Sequence, residues 1–361
     1  APKFPTPHRL LFLLRYWRRT GVDMALEMVE QTLDSLRAGG VFDQVGFGFH
    51  RYSTDREWLL PHFEKMLYDQ AMLMLAYCES FEARPDPTRE RVIREIAAYV
   101  SRDLTSPEGA FYSAEDADSE GEEGKFYIWS LDEVRTVLGE EEAGHAAAAW
   151  GLTAEGNYRD EATGRTTGLN IPHLQSLEAS DGLLEKARRS LLEHRILGER
   201  PLLDDKVLTE CNGMLIAALA RAGRVLSDAC FVAAARRSAA FIHETMQSPG
   251  DLLHRYRDGE AALQANLDDY AFLAWGEIEL YQATFEPGHL ERAIQLTDSM
   301  VDRFLDAERG GFFFSAAGKA DLIVRQREVY DGAVPSGNSV ALYNLVRLAR
   351  LTGRPDYELS L

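Results

Sequence analysis

Helices that are apolar all the way round alternate along this chain with helices that are apolar on one side only, and few folds accommodate that alternation. The segments YDQAMLMLAYC, NGMLIAALA and DDYAFLAWGEIELY are apolar nearly all round, and each is followed by a segment charged on one side. A helix apolar all round must be buried, whereas an amphipathic one faces water. Two concentric layers satisfy both demands, with the first helix of each pair inside and the second outside. The expected fold is therefore all-α, an (α/α)6 toroid folded as a single barrel domain over residues 1–361. A stacked solenoid also repeats helix pairs, but uneven repeat lengths and long loops gathered on one side favour the ring.

Apolar residues at three- and four-residue spacing place the pairs at residues 6–20 with 24–37, 61–82 with 89–104, 208–222 with 228–246, and 268–284 with 290–305. Residues 336–351 start a fifth pair whose partner begins near Asp356. Four complete hairpins and a fifth begun imply a ring truncated at both ends, with apolar faces of 6–20 and 336–351 left open. Residues 130–200 fit the repeat poorly and read as an insertion with about two helices. The connecting stretches 39–53, 109–129, 251–259 and 310–325 mix glycine with aromatic and β-branched residues, which suits short β-hairpins. Phe49-His50-Arg51-Tyr52 and Leu253-His254-Arg255-Tyr256 are near copies, each shortly before an apolar helix.

The formal charge of −19 argues against a nucleic-acid partner, since phosphates demand a basic surface. No apolar run approaches the roughly 20 residues of a membrane span, and the first residues lack the pattern of a signal peptide. Three cysteines, Cys78, Cys211 and Cys230, do not make a disulfide framework. Cys78 and Cys230 lie among apolar helical residues and are expected as buried thiols in a cytoplasmic protein. The stretch 115–124 is dense in acids, but it lacks the glutamate that closes an EF-hand loop and reads as a solvated acidic loop. His50 and His62 have no third ligand at zinc spacing. There is no P-loop, no dinucleotide fingerprint and no nucleophile elbow, so neither metal nor cofactor is expected.

Polar residues open each inner helix: His62, Glu64 and Asp69, then Glu210 and Asn212, then Asp268 and Asp269, then Ser336 and Asn338. In a toroid these starts share one mouth. Separate helix caps would explain them individually. With Pro61 at the first helical position, however, His62 and Asp69 fall on one helix face, and an acid two turns into a helix caps nothing. Aromatics crowd the same mouth, and carboxylates or histidines beside aromatic platforms suit sugar chemistry.

The blocks APKFP, GFGFHRYSTD, WLLPHFEKMLYDQA, FYSAEDADSEGEEGKFYIW, LLDDKVLTECNG and DGAVPSGNS resemble the thioredoxin-domain-containing proteins related to spermatogenesis-associated protein 20. The resemblance runs across nearly the whole chain and implies the family's second region, a barrel similar to six-hairpin glycosidases and N-acylglucosamine 2-epimerases. It also implies an N-terminal thioredoxin-like domain of the same gene product as partner. Two positions depart from the family pattern: Phe47 stands where glycine is usual, and Cys211 where tryptophan is usual. The expected ligand is a small carbohydrate-like molecule. The candidate reacting groups are His50, His62, Asp69, Asp116 and Asp269. Around them stand Arg51, Tyr52, Glu64, Asp118, Glu210, Asn212, Asp268, Asp331, Ser336 and Asn338. A sugar epimerase or isomerase would pair His50 with His62, Arg51 would hold an oxyanion, and Asp69 or Asp269 would orient a histidine. A glycoside hydrolase would use two of Asp116, Asp118, Asp269 and Glu64. A non-catalytic module that presents clients to the thioredoxin-like domain is the third reading.

Overall fold

A computed structural model describes residues 2–159, 166–177, 182–248, 251–317 and 324–359. Its helices are α1 (Pro7–Thr20), α2 (Asp23–Ala38), α3 (Leu67–Ala83), α4 (Pro87–Asp103), α5 (Leu131–Leu138), α6 (Glu140–Trp150) and α7 (Gly182–Arg195). They continue with α8 (Thr209–Leu226), α9 (Ala229–Thr245), α10 (Leu267–Thr284), α11 (Pro287–Phe304), α12 (Gly337–Thr352) and the short α13 (Asp356–Leu359). The helices α1, α3, α8, α10 and α12 touch in that order and form the inner layer, while α2, α4, α9 and α11 each pack outside the helix they follow. As their all-round apolarity requires, α3, α8 and α10 are buried along nearly their whole length. α8 and α10 approach so closely that a Cβ on Gly213 would lie 2.6 Å from the Leu273 nitrogen, and one on Gly276 would lie 3.0 Å from the Gly213 oxygen.

The inner helices run parallel, and charges mark their far ends. Arg221 near the end of α8 pairs with Glu79 and Glu82 of α3 and with Glu279 of α10, and Arg347 of α12 pairs with Glu279. Arg15 of α1 pairs with Glu79 and lies over the Tyr343 ring of α12, 4.6 Å from its centre. A cleft of about 550 Å³ opens there, lined by Leu14, Arg15, Trp17 and Tyr343 among others. Phe12 and Tyr16 of α1 and Val346 of α12 stand more than 40% exposed.

The β structure is short and sits in the loops. The pair Tyr52–Ser53 with Pro61–His62 precedes α3; Lys65–Met66, Ala114–Glu115 and Leu203–Asp204 form a three-stranded patch. Asp251–Arg257 pairs with Val207–Leu208 on one side and Glu260–Gln264 on the other. Between residues 310 and 325 the loop closes with a Leu305–Phe312 bridge, and residues 318–323 lie outside those described.

One repeated device fastens three of these loops to the inner helices. Gln70, in the first turn of α3, accepts from the Phe49 N–H at 2.8 Å and donates to the Phe49 carbonyl at 2.7 Å. Asn212 of α8 does the same to Phe111 at 2.9 Å each way, and Asn338 of α12 to Phe312 at 2.8 and 2.9 Å. A buried backbone N–H and C=O must find partners, and one amide side chain supplies both.

Two expectations are corrected by this geometry. The helix expected from Pro61 starts at Leu67 instead, because residues 61–66 are taken up by strand pairing, with His62 opposite Tyr52 and Met66 opposite Ala114. Hence His62 and Asp69 do not share a helix face, and Asp69 lies in the first turn. Cys230 is exposed at the start of α9, whereas Cys78 and Cys211 are buried. Helices α5, α6 and α7, within residues 130–200, gather around their own apolar cluster of Trp129, Val134, Trp150 and Leu191. Arg195 at the end of α7 reaches back to Asp43 at 2.8 Å.

Candidate functional site

The starts of α3, α8 and α10 meet at the mouth of the ring. Neither α3 nor α8 has a side-chain cap; their N-cap residues are Met66 and Leu208. Asp69 and Glu210, in those first turns, are therefore free of the ordinary duty of acids at helix starts. Asp269 does cap: its Oδ2 accepts from the Asn266 N–H at 2.8 Å, closing a capping box. It also joins helices, because its Oδ1 accepts from the Glu210 N–H at 3.1 Å.

Both Asp269 oxygens lie 3.0 Å from Nδ1 of His254, on the strand Asp251–Arg257. A nitrogen facing two carboxylate oxygens must carry the proton, so neutral His254 is the Nδ1–H tautomer and Nε2 is the basic nitrogen. Among the described residues Nε2 has no hydrogen-bond partner. The hydrogen bond and charge of Asp269 raise the His254 pKa, against the pull of burial. Glu210, packed against this pair, is pushed up to about 8 by burial and by the charges of Asp269 and Asp268. Asp268 is raised to about 6 by burial first and Asp269 second. Burial also raises Asp269, against the hydrogen bond from His254. A Cβ on Gly337 would fall 2.1 Å from the Asp268 Oδ1, so only glycine lets α12 start there.

Glu210, His254 and Asp269 each offer one ligand atom within 4.8 Å of the others and could face a metal ion. The Asp269 oxygens are nevertheless already occupied by two backbone N–H groups and the imidazole. That donor set suits orientation of His254 better than coordination of a cation.

Cys211 links this group to a second one. Its thiol is raised by burial and by the charges of Glu210, Asp269 and Asp69 around it. Asp69, 4% exposed, is raised well above the usual carboxylate range by burial, which the nearby Arg51 does not offset. Arg51 donates to Glu64 at 2.8 Å. His62 stacks on Tyr52, with ring centres 4.9 Å apart. Glu64, 3.7 Å from its Nε2, and Glu123, 2.6 Å from its Nδ1, raise the His62 pKa. At those distances Glu123 makes the hydrogen bond and Glu64 acts as a neighbouring charge.

The other residues singled out in the sequence stand elsewhere. His50 is 1% exposed, with Nδ1 2.8 Å from the Phe63 carbonyl and its ring edge-on to Phe63 and Tyr127. Burial, with Lys65 nearby, lowers its pKa to about 3. It belongs to the packing around the buried Asp43, Lys65 and Arg195 ions. Asp116 and Asp118 are exposed; Asp116 accepts from the Ala117 N–H, and no contact among the described residues joins either acid to Asp69 or Asp269. The acidic loop sends Glu123 to the mouth instead. Asn212 is filled by backbone groups and the Ser238 hydroxyl, and Asn338 by backbone groups. Ser336 caps α12 by accepting from the Ser339 N–H, and Asp331 accepts from the Ser336 N–H and the Ser339 hydroxyl. The residue that sequence reasoning passed over is His254, and its signal was the second copy of the His-Arg-Tyr motif.

The fold is a helical toroid similar to those of a sugar isomerase and of glycoside hydrolases. A D-mannose isomerase structure superposes with a TM-score of 0.61 at 11% identity, covering 99% of this chain and 72% of that one. An inactive α-1,6-mannanase variant of Salegentibacter sp., with two adjacent aspartates replaced by alanine, superposes with a TM-score of 0.51 at 12% identity, covering 85% and 67%. No family model matches the chain. By sequence it is similar to spermatogenesis-associated protein 20: the rat and human proteins are each 37% identical over an alignment that covers 99% of this chain. The chain spans about half the length of these relatives, 51%. No helix among the described residues is long and apolar enough to cross a membrane.

Proposed function

We propose that the mouth carries out acid–base proton transfer on a small carbohydrate-like molecule, in the manner of a sugar isomerase or epimerase. The observation that carries this reading is the seat of His254: Asp269 fixes its Nδ1–H and leaves a basic Nε2 without a partner beside Glu210. A carboxylate that orients an imidazole also stabilises the imidazolium it becomes. His254 takes a proton from carbon, and Glu210, still protonated at pH 7 with a pKa of about 8, supplies the second proton. Acid–base groups work best with pKa values near the operating pH; burial raises Glu210 towards it, and Asp269 raises His254. The base is thus His254 in place of the His50 and His62 pair expected from the sequence. Likeness to a mannose isomerase supports the substrate class by analogy of fold alone.

A second reading is glycoside hydrolysis with Glu210 as acid. It draws on carboxyl oxygens of Glu210 and Asp269 within 4.8 Å and on the mannanase whose inactive variant lacks two adjacent aspartates, as Asp268 and Asp269 are adjacent here. The test is a panel of aldoses, ketoses and N-acylhexosamines incubated in D₂O and followed by proton NMR, alongside aryl glycosides. Deuterium should enter at the carbon next to the carbonyl, and the rate should fall about a hundredfold or more in His254→Gln and in Glu210→Gln. Cleavage of glycosides without exchange would transfer the case to the hydrolase.

A further inference from the structure

Between the acidic hairpin, where Asp118–Ser119 pairs with Glu122–Glu123, and the end of α7 lies a cleft of about 390 Å³. Phe126, Ile128, Trp129 and Leu197 give it an apolar and aromatic lining. Two buried side chains that line it carry donors with no acceptor among the described residues. Trp129, 2% exposed, has its Nε1–H unpaired. Arg195, 7% exposed, gives both Nη groups to Asp43 and leaves its Nε–H unpaired. A buried N–H without an acceptor is costly, and a carbonyl oxygen would satisfy it. Leu197 is 84% exposed, and Ile196 and Leu202 of the same stretch are 47% and 73% exposed. Apolar residues grouped beside a cleft mark a binding face, whereas scattered ones do not. The surroundings are negative: Glu120, Glu133 and Glu199 line the cleft, and Asp118 and Glu122 stand exposed on the hairpin. Lys125 pairs with Glu120 at 2.5 Å, while Asp118, Glu122 and Glu199 make no ion pair among the described residues.

We propose that this cleft docks a segment of another polypeptide, in which an aliphatic or aromatic residue is flanked by lysines or arginines. The apolar lining takes the anchor side chain, the Trp129 and Arg195 donors take backbone carbonyls, and the acidic hairpin takes the flanking cations. Complementary charge of this kind steers a partner and rejects a wrong one. A second copy of this chain is the wrong one, because each copy carries −19 and would meet like charge. The cleft shares no residue with the His254, Asp269 and Glu210 group, so the proposal stands apart from the proton-transfer reading.

The test is a selection of random dodecapeptides displayed on phage against the whole chain, followed by fluorescence anisotropy with the enriched peptides. Those peptides should share an aliphatic or aromatic residue flanked by lysine or arginine. Their affinity should fall about tenfold or more in Leu197→Ser, which removes an anchor contact. It should fall by a similar factor in the double variant Glu122→Lys, Glu199→Lys, and it should weaken as salt rises. All three side chains are exposed, so both variants should keep native circular dichroism. Phe12→Ser, at an exposed apolar residue of α1, should leave the affinity unchanged. No enrichment, enriched peptides without basic residues, or binding indifferent to both variants overturns the proposal. A dimer in solution that Leu197→Ser dissolves overturns it as well, since the occupant would then be a second copy.

Discussion

Asp69, Glu210 and Asp269 occupy matching first turns of three inner helices, and their neighbours give them different chemistry. Asp269 is surrounded by donors; Glu210 and Asp69 have mostly burial and like charge around them. Glu210 is therefore held neutral in the fold and ionises when the chain unfolds. Its folded pKa lies above its unfolded value of about 4.3, so its stability contribution is complete below about pH 4 and is lost as pH rises towards 8. Glu210→Gln should accordingly raise the melting temperature at pH 7–8, with the gain vanishing near pH 4. A stability loss at pH 7 would show that Glu210 is held by a partner. At this scale the sequence was partly legible. Acids at helix starts stand out, Asp269 among them, whereas Asp69 reads from the sequence as an acid two turns into a helix and lies in the first turn instead. His50 and His254 lie in the same tetrapeptide setting, and only burial against Phe63 and Tyr127, invisible in the sequence, separates a packed histidine from one at the mouth.

Among the elements, the inner helices and the loops before them are joined by an amide that grips one phenylalanine backbone. Asn212→Ala would strand the Phe111 N–H and C=O and the Ser238 hydroxyl in a buried setting. At about 1–3 kcal/mol for each buried polar group left unpaired, denaturant unfolding should show a loss above about 2 kcal/mol. A loss under about 0.5 kcal/mol would mean that water reaches the loop. Where α8 meets α10 there is no room at all: Gly213→Ala should cost about 1–3 kcal/mol by overpacking, and a neutral result would show that the two helices can separate. Helix order and pairing were readable because apolar periodicity persists over about four turns. Strands of two residues carry no period, so the pairing that displaces the α3 start from Pro61 to Leu67 left no mark. Phe47 shows another limit: it sits at φ 67° with its ring under Arg188, 4.3 Å from the guanidinium, a conformation no local rule assigns to phenylalanine.

Over the whole molecule the two ends of the ring are opposite in electrostatics. At the far end Glu279, fully buried, is drawn down to about 2 by Arg221 and Arg347 despite burial. Its contribution is complete above its unfolded pKa of about 4.3 and is lost as pH falls towards 2. Glu279→Gln should cost about 3 kcal/mol or more at pH 7, since it leaves buried arginines unpaired, and the deficit should shrink on acidification; a deficit constant from pH 7 to 2 would contradict it. At the mouth Asp69, Glu210, Asp268 and Asp269 are raised instead, which supports the proposal that proton transfer takes place at that end. That claim requires residues from separate hairpins, His254 and Asp269 with Glu210, to behave as one unit. The most direct measurement is a ¹⁵N NMR titration of the His254 imidazole in wild type, Asp269→Asn and Glu210→Gln. The expected result is a neutral Nδ1–H tautomer with a pKa above the ordinary 6.5, falling in Asp269→Asn. An Nε2–H tautomer, or a pKa at or below 6.5 that ignores the Asp269 substitution, would contradict it.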